Sequence, residues 1–444
     1  MLPARDFEKK MGIEWYITDT PGIGGKLRKT PEDFVVEENV SLPPGDGFLA
    51  VKIRSRNTES NTLKIRLMNT LGLREREISF PGIKDRRAVS THWFTIKTGG
   101  GPREKKILEK LGKAHIEGVD ILAIEKCGRH LRTGEHLGNT FTIAIRDITV
   151  AQRDALEIAE QVFSTVENIF ANYFGIQRFG SVRPVTHEIG KALVREDFER
   201  AVRTLCGEPG KSGPKEKEFR EKAMRAESDS DWEEVYLLIP HHLIFEKTVA
   251  GHLSNYPGDY LGALQRLPPF MLRFYIHSYQ SYLFNRILSE RISRGLSYKE
   301  PLIGDLVEPS VDRIKGGRAR FIPVTQTNIG TIEKRIQEGR AWITGVLPGT
   351  GTPLAEGEMG EIERKIMEEE KISEKMFNIT GLREAHTRGN RRPIHITAEE
   401  PSVQEAQDSG GGGNAIIVKF KLRSGGYATT ILREIMKCEE PLCY

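Results

Sequence analysis

The sequence predicts an α+β fold in which the two ends of the chain build one sheet domain and the middle is inserted into it. With 444 residues, the chain is longer than one hydrophobic core usually allows, so two or more domains are expected. Apolar residues alternate as in strands at Phe141–Ile145 and again at Ile416–Leu422, near the end of the chain. A strand so late in the chain needs an existing sheet, so roughly the first 170 residues and the last 45 are predicted to share one.

The N-terminal part is predicted to contain strands and one short helix. Strands are expected at Phe34–Glu38 and Gly47–Ile53. Leucines recur every four residues in Asn61–Leu71, and Gly72 follows, so this segment is predicted to be a helix that ends at the glycine. Ile78–Phe80 then leads into a charged turn.

Helices dominate the prediction for the middle of the chain. Apolar residues at steps of three and four between Ala155 and Ile169 indicate one buried helix face. A second, longer helix is predicted over Phe270–Arg294. Between them, residues 207–234 are rich in charge, Gly and Ser, which favours an exposed loop or a poorly packed arm. Trp342–Gly349 is predicted to be a buried strand and turn.

The C-terminal third begins with charged and flexible segments. Met359–Met376 is predicted to be a charged, solvated helix. Asp408–Gly413 contains four consecutive glycines and is predicted to be a flexible connector. After the Ile416–Leu422 strand, Ala428–Lys437 is predicted to be a short helix that carries Arg433.

The overall charge says little about partners, but its distribution does. The net charge is +4, from 66 basic and 62 acidic residues. Basic residues cluster at Lys26–Lys29, Lys84–Arg87 and Lys126–Arg132, whereas acidic residues concentrate in Glu358–Glu374. Any contact with a nucleic acid is therefore predicted to come from these local clusters.

Several function classes are disfavoured. The four cysteines (Cys127, Cys206, Cys438, Cys443) are too scattered for a disulfide framework or a zinc site and are predicted to be free thiols. The chain has no apolar run near the roughly 18 residues of a membrane span, and its first residues lack the apolar core of a signal peptide, so the cytoplasm is expected. Gly25-Lys26 is followed by Leu27 rather than Ser or Thr, which argues against a nucleotide-hydrolysing P-loop.

Phe80–Lys97 carries the chemistry that is easiest to interpret. Asp85 stands between Lys84 and the pair Arg86-Arg87, and neighbouring cations favour an ionised carboxylate, as a nucleophile requires. An exposed turn with a local ion pair is the simpler interpretation of these residues alone. Asn172–Gly180 combines an amide, aromatics and a base, which suits stacking on a nucleobase, although a helix C-terminal cap with aromatic packing is the simpler interpretation of this segment alone.

Five stretches together carry a family resemblance: Pro31–Glu38, Gly82–Val89 with Trp93-Phe94, Leu137–Phe141, Asn172–Gly180 and Gly426–Glu434. In this order, and spread over nearly the whole chain, they resemble the TruD family of pseudouridine synthases. The resemblance implies an isomerase that converts uridine to pseudouridine in transfer RNA, typically at position 13, without a cofactor or a metal. The expected partner is therefore transfer RNA, and a monomer is expected.

The resemblance also implies a domain division. The catalytic domain is expected to be a mixed, mainly antiparallel sheet with flanking helices, formed by residues 1–172 and 392–444. An inserted α/β TRUD domain is expected over residues 173–391.

For the site, the resemblance implies that Asp85 is the catalytic residue. Phe174 is expected to stack on the uracil and Asn172 to hydrogen-bond near it. A basic residue that pairs with Asp85 is expected at Arg28, with Lys84 and Arg433 as alternatives. The full set of expected substrate-binding residues is Phe174, Asn172, Arg28, Lys84, Arg86 and Asn139. Whether Asp85 attacks C1′ or removes the C2′ proton stays open.

Two other functions and one other target are compatible with parts of the sequence. A non-catalytic RNA-binding protein could share the fold, but it would not need Asp85, Asn172 and Phe174 together. A nucleoside hydrolase would need a second carboxylate as general acid, for which Glu32 or Asp33 are the candidates. The same isomerase could also act on another RNA site.

Overall fold

A computed structural model of the chain describes residues 1–84, 87–207, 214–310, 321–406 and 414–444, and within them it confirms the α+β fold. The strands of the described residues are β1 (Leu2–Pro3), β2 (Trp15–Tyr16), β3 (Gly24–Lys26), β4 (Phe34–Asn39), β5 (Phe48–Arg56), β6 (Ile78–Ser79), β7 (Val89–Lys97), β8 (Val119–Cys127), β9 (Gly138–Ile148), β10 (Ile169–Ala171), β11 (Leu306–Pro309), β12 (Ile322–Pro323), β13 (Ala341–Leu347), β14 (Asn390–Pro393), β15 (His395–Thr397), β16 (Glu399–Glu405) and β17 (Ala415–Arg423).

The helices of the same residues are α1 (Asp6–Lys9), α2 (Ser60–Leu71), α3 (Gly101–Lys113), α4 (Gln152–Thr165), α5 (Thr186–Val194), α6 (Phe198–Gly207), α7 (Pro214–Arg225), α8 (Asp229–Leu238), α9 (Ile244–Leu253), α10 (Tyr260–Gln265), α11 (Pro269–Ser293), α12 (Ile329–Gln337), α13 (Gly357–Glu369) and α14 (Ala428–Met436). No helix in the described part of the chain is both long and apolar enough to cross a membrane.

The chain forms two compact units. The sheet unit contains Thr18–Phe170, Ile396–Glu439 and Cys443–Tyr444, and the helix-rich unit contains Met1–Ile17, Ala171–His395 and Glu440–Leu442. The predicted domain of residues 1–172 and 392–444 differs from this division mainly in Met1–Ile17. These residues lie in the helix-rich unit because α11 holds their backbone: Asn285 donates to the carbonyl of Met11 and Ser289 to that of Gly12.

The sheet unit is built on one large sheet with the strand order β16-β17-β9-β4-β7-β5-β8, to which β3 adds beside β9 and β6 beside β7. The β4–β7 pair is parallel and the other pairs are antiparallel, as the expectation of a mixed, mainly antiparallel sheet requires. The predicted C-terminal strand pairs with β9 over its whole length, from Ala415 to Arg423. Strands from both ends of the chain therefore meet in one sheet.

Helices α2 and α3 cover one part of this sheet. The leucines that recur every four residues in α2 are buried against apolar side chains of β5 and β7, which include Val51 and Phe94. Gly72 ends α2 in the left-handed conformation, with φ of 70°, where an L side chain would be strained. The leucine repeat that predicted this helix is thus the face that packs on the sheet.

The helix-rich unit contains α11 and a four-stranded antiparallel sheet with the order β12-β11-β13-β14. The predictions of α11 and β13 are confirmed. Two predictions are wrong. Within residues 207–234, the described part forms α7 and α8, whose apolar residues Phe219 and Trp232 are fully buried. Helix α13 ends at Glu369 rather than Met376, and one face of it is buried rather than solvated. Asp408–Gly413 lies outside the described residues.

Candidate active site

The charged loop between β6 and β7 is described on both sides of its central carboxylate. Asp85 and Arg86, two of the predicted site residues, lie outside the described residues. Before them, Pro81 and Gly82 are buried and Lys84 is only 5% exposed. After them, Arg87 is exposed and Ala88 is buried as β7 begins. The loop is thus anchored to the sheet unit immediately before Asp85 and again soon after Arg86.

Lys84 does not reach into solvent. Its ammonium lies 2.7 Å from Oε1 of Glu38 in β4, and both side chains are almost completely buried. The other carboxylate oxygen, Oε2, accepts the backbone N–H of Trp93 in β7 at 3.0 Å. Burial raises the pKa of Glu38, and the contact with Lys84 opposes that rise. The carboxylate of Glu38 therefore ties the loop to two central strands.

The backbone of Lys84 has an anchor of its own. Its N–H donates to Oγ of Ser60, the first residue of α2, at 2.8 Å. Ser60 Oγ also lies 3.3 Å from Nδ1 of His92, whose Nε2 is 3.0 Å from Oγ of Ser55. Burial, with a smaller effect from the nearby Lys84 charge, lowers the pKa of His92 to about 3. The imidazole is therefore neutral at physiological pH and bridges two serines.

Asn139 lies next to this network. It stands directly opposite Glu38 in the β4–β9 ladder, and directly opposite residues of an antiparallel pair share a sheet face. Asn139 is half-buried, and its Oδ1 is shielded from solvent without a hydrogen-bond partner among the described residues. The structure thus brings two predicted site residues, Lys84 and Asn139, together through Glu38, and it leaves one acceptor in position for another donor.

Arg28 and Arg433 were predicted as possible partners of Asp85, and both belong to the sheet unit. Arg28 has φ of 56°, an unusual backbone conformation for a non-glycine residue, and its guanidinium lies 4.0 Å from the ring centroid of Phe34. Arg433 is buried and donates to Glu434 at 2.9 Å. Lys84 and Arg433 each have a carboxylate partner, and Arg28 also stacks on an aromatic ring.

Asn172 and Phe174 lie together in the helix-rich unit. Asn172 donates to the carbonyl of Pro393 at 2.9 Å and accepts from Arg392 at 2.8 Å. The guanidinium of Arg392 also lies 4.1 Å from the ring centroid of Phe174. Arg392 is a residue that the sequence analysis missed. The available signal was the pair Arg391-Arg392 in a short strand, where neighbouring side chains point to opposite faces.

Phe174 is held firmly from both its backbone and its ring. Asn285 of α11 accepts its N–H at 2.9 Å and donates to its carbonyl at 3.1 Å. Phe284 packs against its ring edge to face, with centroids 5.4 Å apart, and the side chain is 5% exposed. This environment gives the ring a fixed orientation, and it is also the environment of a core residue.

The carboxylates that a nucleoside hydrolase would need are committed elsewhere. Asp33 is 1% exposed, accepts the N–H of Thr30 as a helix cap, and pairs with Arg146 at 2.6 Å. Glu32 pairs with Arg56, and this contact lowers its pKa, so it does not supply the proton that a general acid donates. Neither residue has the properties of a second catalytic carboxyl. The described residues contain no group of three or more His, Cys, Asp or Glu side chains that could hold a metal ion.

Lys26, Lys29 and Lys126, from two of the predicted basic clusters, are exposed and paired with acids. Lys26 and Lys29 flank Asp147, at 3.6 and 3.0 Å. Lys126 lies 2.9 Å from Asp46. These side chains are largely accessible, so a polyanion could displace the carboxylates at little cost, because exposed ion pairs contribute little to stability.

Comparison with known proteins gives one consistent answer. The family model "tRNA pseudouridine synthase D (TruD)" matches residues 10–435. A protein of Methanosarcina barkeri named "Probable tRNA pseudouridine synthase D" is 34% identical over 444 residues, which cover 99% of each chain. A protein of the same name from Halobacterium salinarum is 33% identical and covers 98% of this chain and 99% of its own. The solved TruD structure from Methanosarcina mazei superposes with a TM-score of 0.82 at 31% identity and covers all of both chains.

Proposed function

The chain belongs to the TruD family of tRNA pseudouridine synthases, and from this premise we propose that it modifies position 13 of transfer RNA with Asp85 as its catalytic residue. It is an isomerase that converts uridine to pseudouridine in transfer RNA. The observation that carries this conclusion is the family match over residues 10–435, supported by relatives of the same name along nearly the full chain. The position and the residue roles are our proposal.

The reaction breaks the C1′–N1 bond, turns the uracil and rejoins it through C5. N1 gains a proton and C5 loses one, so substrate and product are isomers. The nucleotide must leave the base stack first, which costs a few kcal/mol. Asp85 acts in its ionised form, either by attack on C1′ or by removal of the C2′ proton. Arg28 and Arg86 would favour that form, since the Lys84 ammonium already pairs with Glu38.

Three side chains are proposed to contact the nucleotide. In the sheet unit, Asn139 offers a buried carboxamide oxygen that lacks a partner in the described residues, which suits a donor on the substrate. In the helix-rich unit, Phe174 would stack on the uracil, with Asn172 hydrogen-bonding near it. Stacking contributes about 1–3 kcal/mol per base and would offset much of the cost of flipping. Arg392 covers one face of Phe174, so a base that stacks on that face would take the place of this guanidinium.

We also propose that the sheet unit corresponds to the catalytic domain, expected over residues 1–172 and 392–444. The helix-rich unit would correspond largely to the inserted TRUD domain of residues 173–391. The large sheet of the sheet unit contains strands from both parts of the expected catalytic domain, which supports the assignment of this unit. We further infer that the protein acts as a monomer and that it acts in the cytoplasm.

Tritium release from transfer RNA labelled at C5 of uridine tests this function. The isomerase releases tritium while the RNA keeps its mass and no free uracil appears. A nucleoside hydrolase would release free base, and a binding protein would release neither. Mapping of pseudouridine in the treated RNA then tests position 13, and modification at another uridine alone would overturn that part of the proposal.

Replacement of the proposed catalytic residue gives a sharper test. We expect Asp85→Asn to abolish tritium release and to leave the Kd for transfer RNA nearly unchanged, because the carboxamide keeps the shape but cannot act as a nucleophile or base. Asp120→Asn, at an exposed position of β8, is the matched control and should keep full activity. An Asp85→Asn variant that turns over near the wild-type rate removes Asp85 from its role.

A further inference from the structure

The buried ion pair between Glu38 and Lys84 has a geometry that stability alone does not explain. Replacing a buried pair with apolar side chains is often neutral or stabilising, so such a pair is weak support for a purely structural role. An ion pair instead adds a defined orientation, because its hydrogen bonds hold the ammonium and the carboxylate in one arrangement. We propose that this pair positions the catalytic loop, so that Glu38 and Lys84 are positioning residues for the isomerisation. The inference rests on the proposed role of Asp85.

Lys84 is fixed at two points. Its backbone N–H donates to Ser60 at 2.8 Å, and its ammonium contacts Glu38 at 2.7 Å. One anchor holds the main chain and the other holds the end of the side chain. Lys84 directly precedes Asp85 in the chain. The two anchors therefore restrict the movement of the residue next to the catalytic one.

Glu38 occupies a central position in the large sheet. It belongs to β4, which is flanked on both sides by β9 and β7 in the centre of the large sheet. One of its carboxylate oxygens takes Lys84 and the other takes the backbone N–H of Trp93. Glu38 thus links the loop to the central strands of the sheet unit. Its cross-strand neighbour is Asn139, the proposed substrate-binding amide, so one residue sets the register of two others.

Gly82, two residues before Lys84, lies against the ion pair. A Cβ atom at this position would lie 2.4 Å from Glu38 Oε1 and 2.7 Å from Lys84 Nζ. Both distances are far below van der Waals contact, so any side chain here would force the pair apart. Because glycine has no side chain, position 82 leaves room for the Glu38 carboxylate and the Lys84 ammonium to meet.

The pair is tested by removing its charges one at a time and then together. Glu38→Gln and Lys84→Met each leave one buried charge without its partner and should lower the melting temperature. The double variant has no such charge and should melt close to the wild type. We expect it to bind transfer RNA with unchanged Kd but to react about 100-fold more slowly in single turnover, because a displacement of about 1 Å at the reacting group costs that much.

A double variant that melts normally and reacts at the wild-type rate would overturn the inference, since the pair would then be structural only. If the double variant does not fold, Glu38→Asp serves instead. It keeps the charge but shortens the side chain by one methylene, so a tenfold or greater loss of rate with unchanged Kd is expected, and an unchanged rate overturns the inference.

The matched control is Glu37→Gln, at the neighbouring exposed position of the same strand, which should change neither melting nor rate. The wild-type protein and Asp85→Asn are assayed alongside. A wild-type protein that releases no tritium overturns the proposed function and this inference together. A wild-type protein that is active, with an inactive Asp85→Asn and a fully active double variant, overturns this inference alone.

Discussion

At the scale of single residues, Asn139 offers the clearest separation of stability from activity. A buried acceptor without a partner costs about 1–3 kcal/mol of folding free energy. Its Oδ1 is such an atom within the described part of the chain. Side chains that bind substrate are expected to carry this cost, because their partner arrives with the ligand.

We therefore expect Asn139→Ala to be at least as stable as the wild type and more than tenfold slower, as loss of one substrate hydrogen bond of about 1.5 kcal/mol implies. Chemical denaturation and tritium release measure the two quantities. Asn39→Ala is the control, because Asn39 already donates to Thr140 Oγ1, and its loss should lower stability without slowing the reaction. An Asn139→Ala variant with unchanged rate would show that this amide does not bind the substrate.

Phe174 poses the opposite question, because a fixed stacking platform and a core residue look alike. Phe174→Leu keeps most of the apolar volume but removes the ring, so a loss of stability below about 1.5 kcal/mol is expected. If the ring stacks on uracil, the rate should fall about 5- to 150-fold, since stacking is worth about 1–3 kcal/mol. Phe179→Leu, at a fully buried position nearby in sequence, is the control. Equal rates for the two variants would mean that Phe174 is a core residue.

Single residues also show where sequence reasoning ended. The motif around Asp85 could be found from the sequence, but the direction of Lys84 could not. Its partner, Glu38, lies 46 residues earlier and meets it only because β4 and β7 are paired in parallel. In the same way, Arg392 reaches Asn172 across 220 residues. Local sequence reveals which residue types are present, whereas their partners depend on tertiary pairing.

At the scale of elements, periodic patterns were the reliable guide. The leucine repeat of α2, the alternation in β9 and β17 and the long apolar face of α11 all predicted the observed elements. The prediction was wrong where charge density obscured a narrow apolar stripe. Helix α8 buries Trp232 and Val235 among acidic neighbours, and α13 buries Met359 and Ile366. A few buried side chains per helix are enough to fix it, even when the composition looks like a loop.

Strand β7 carries a pH prediction through His92. The pKa of this buried imidazole is lowered from about 6.5 to about 3, so between these values the unfolded chain binds a proton that the folded chain does not. The contribution of neutral His92 to the free energy of unfolding is therefore complete above about pH 6.5. It falls as the pH drops toward 3, by up to about 1.4 kcal/mol per pH unit. His92→Gln should flatten that part of the curve, as measured by denaturation from pH 4 to 7.

The exposed His115 offers the matched control, since His115→Gln should leave the slope as it is in the wild type. An unchanged slope in His92→Gln would show that other groups cause the loss of stability in acid. Because His92 contacts Ser60, which holds the backbone of Lys84, the same variant is also expected to loosen the catalytic loop.

At the scale of the whole molecule, the discontinuous arrangement followed from the sequence. A regular strand near residue 420 required a sheet already built, and β17 pairs with β9 along its full length. The affiliation of Met1–Ile17 could not be predicted. It depends on hydrogen bonds from Asn285 and Ser289 of α11 to backbone carbonyls of this segment. Because every residue has a backbone carbonyl, the sequence does not indicate which of them accept such bonds.

The distribution of charge over the molecule leads to a prediction about RNA binding. A net charge of +4 on 444 residues cannot by itself hold a polyanion, so affinity must come from local clusters that contact phosphates. Each contact lowers log K by about 0.7–0.9 per unit of log salt concentration. Lys26 and Lys29 are 62% and 47% exposed, and both contact Asp147. If they bind phosphates, Lys26→Gln/Lys29→Gln should reduce the slope by about 1.4–1.8.

Removal of the competing carboxylate should have the opposite effect on affinity. If the two lysines bind phosphates, Asp147→Asn frees both ammonium groups and removes a negative charge beside them, so the Kd for transfer RNA should fall at low salt. Lys113→Gln, which removes an exposed charge paired with Glu109 on α3, is the control and should leave the slope unchanged. Binding measured from 50 to 300 mM salt separates the outcomes. Affinity that stays flat across this range would exclude phosphate contacts as the main source of binding, and an unchanged slope in the double lysine variant would place them elsewhere on the protein.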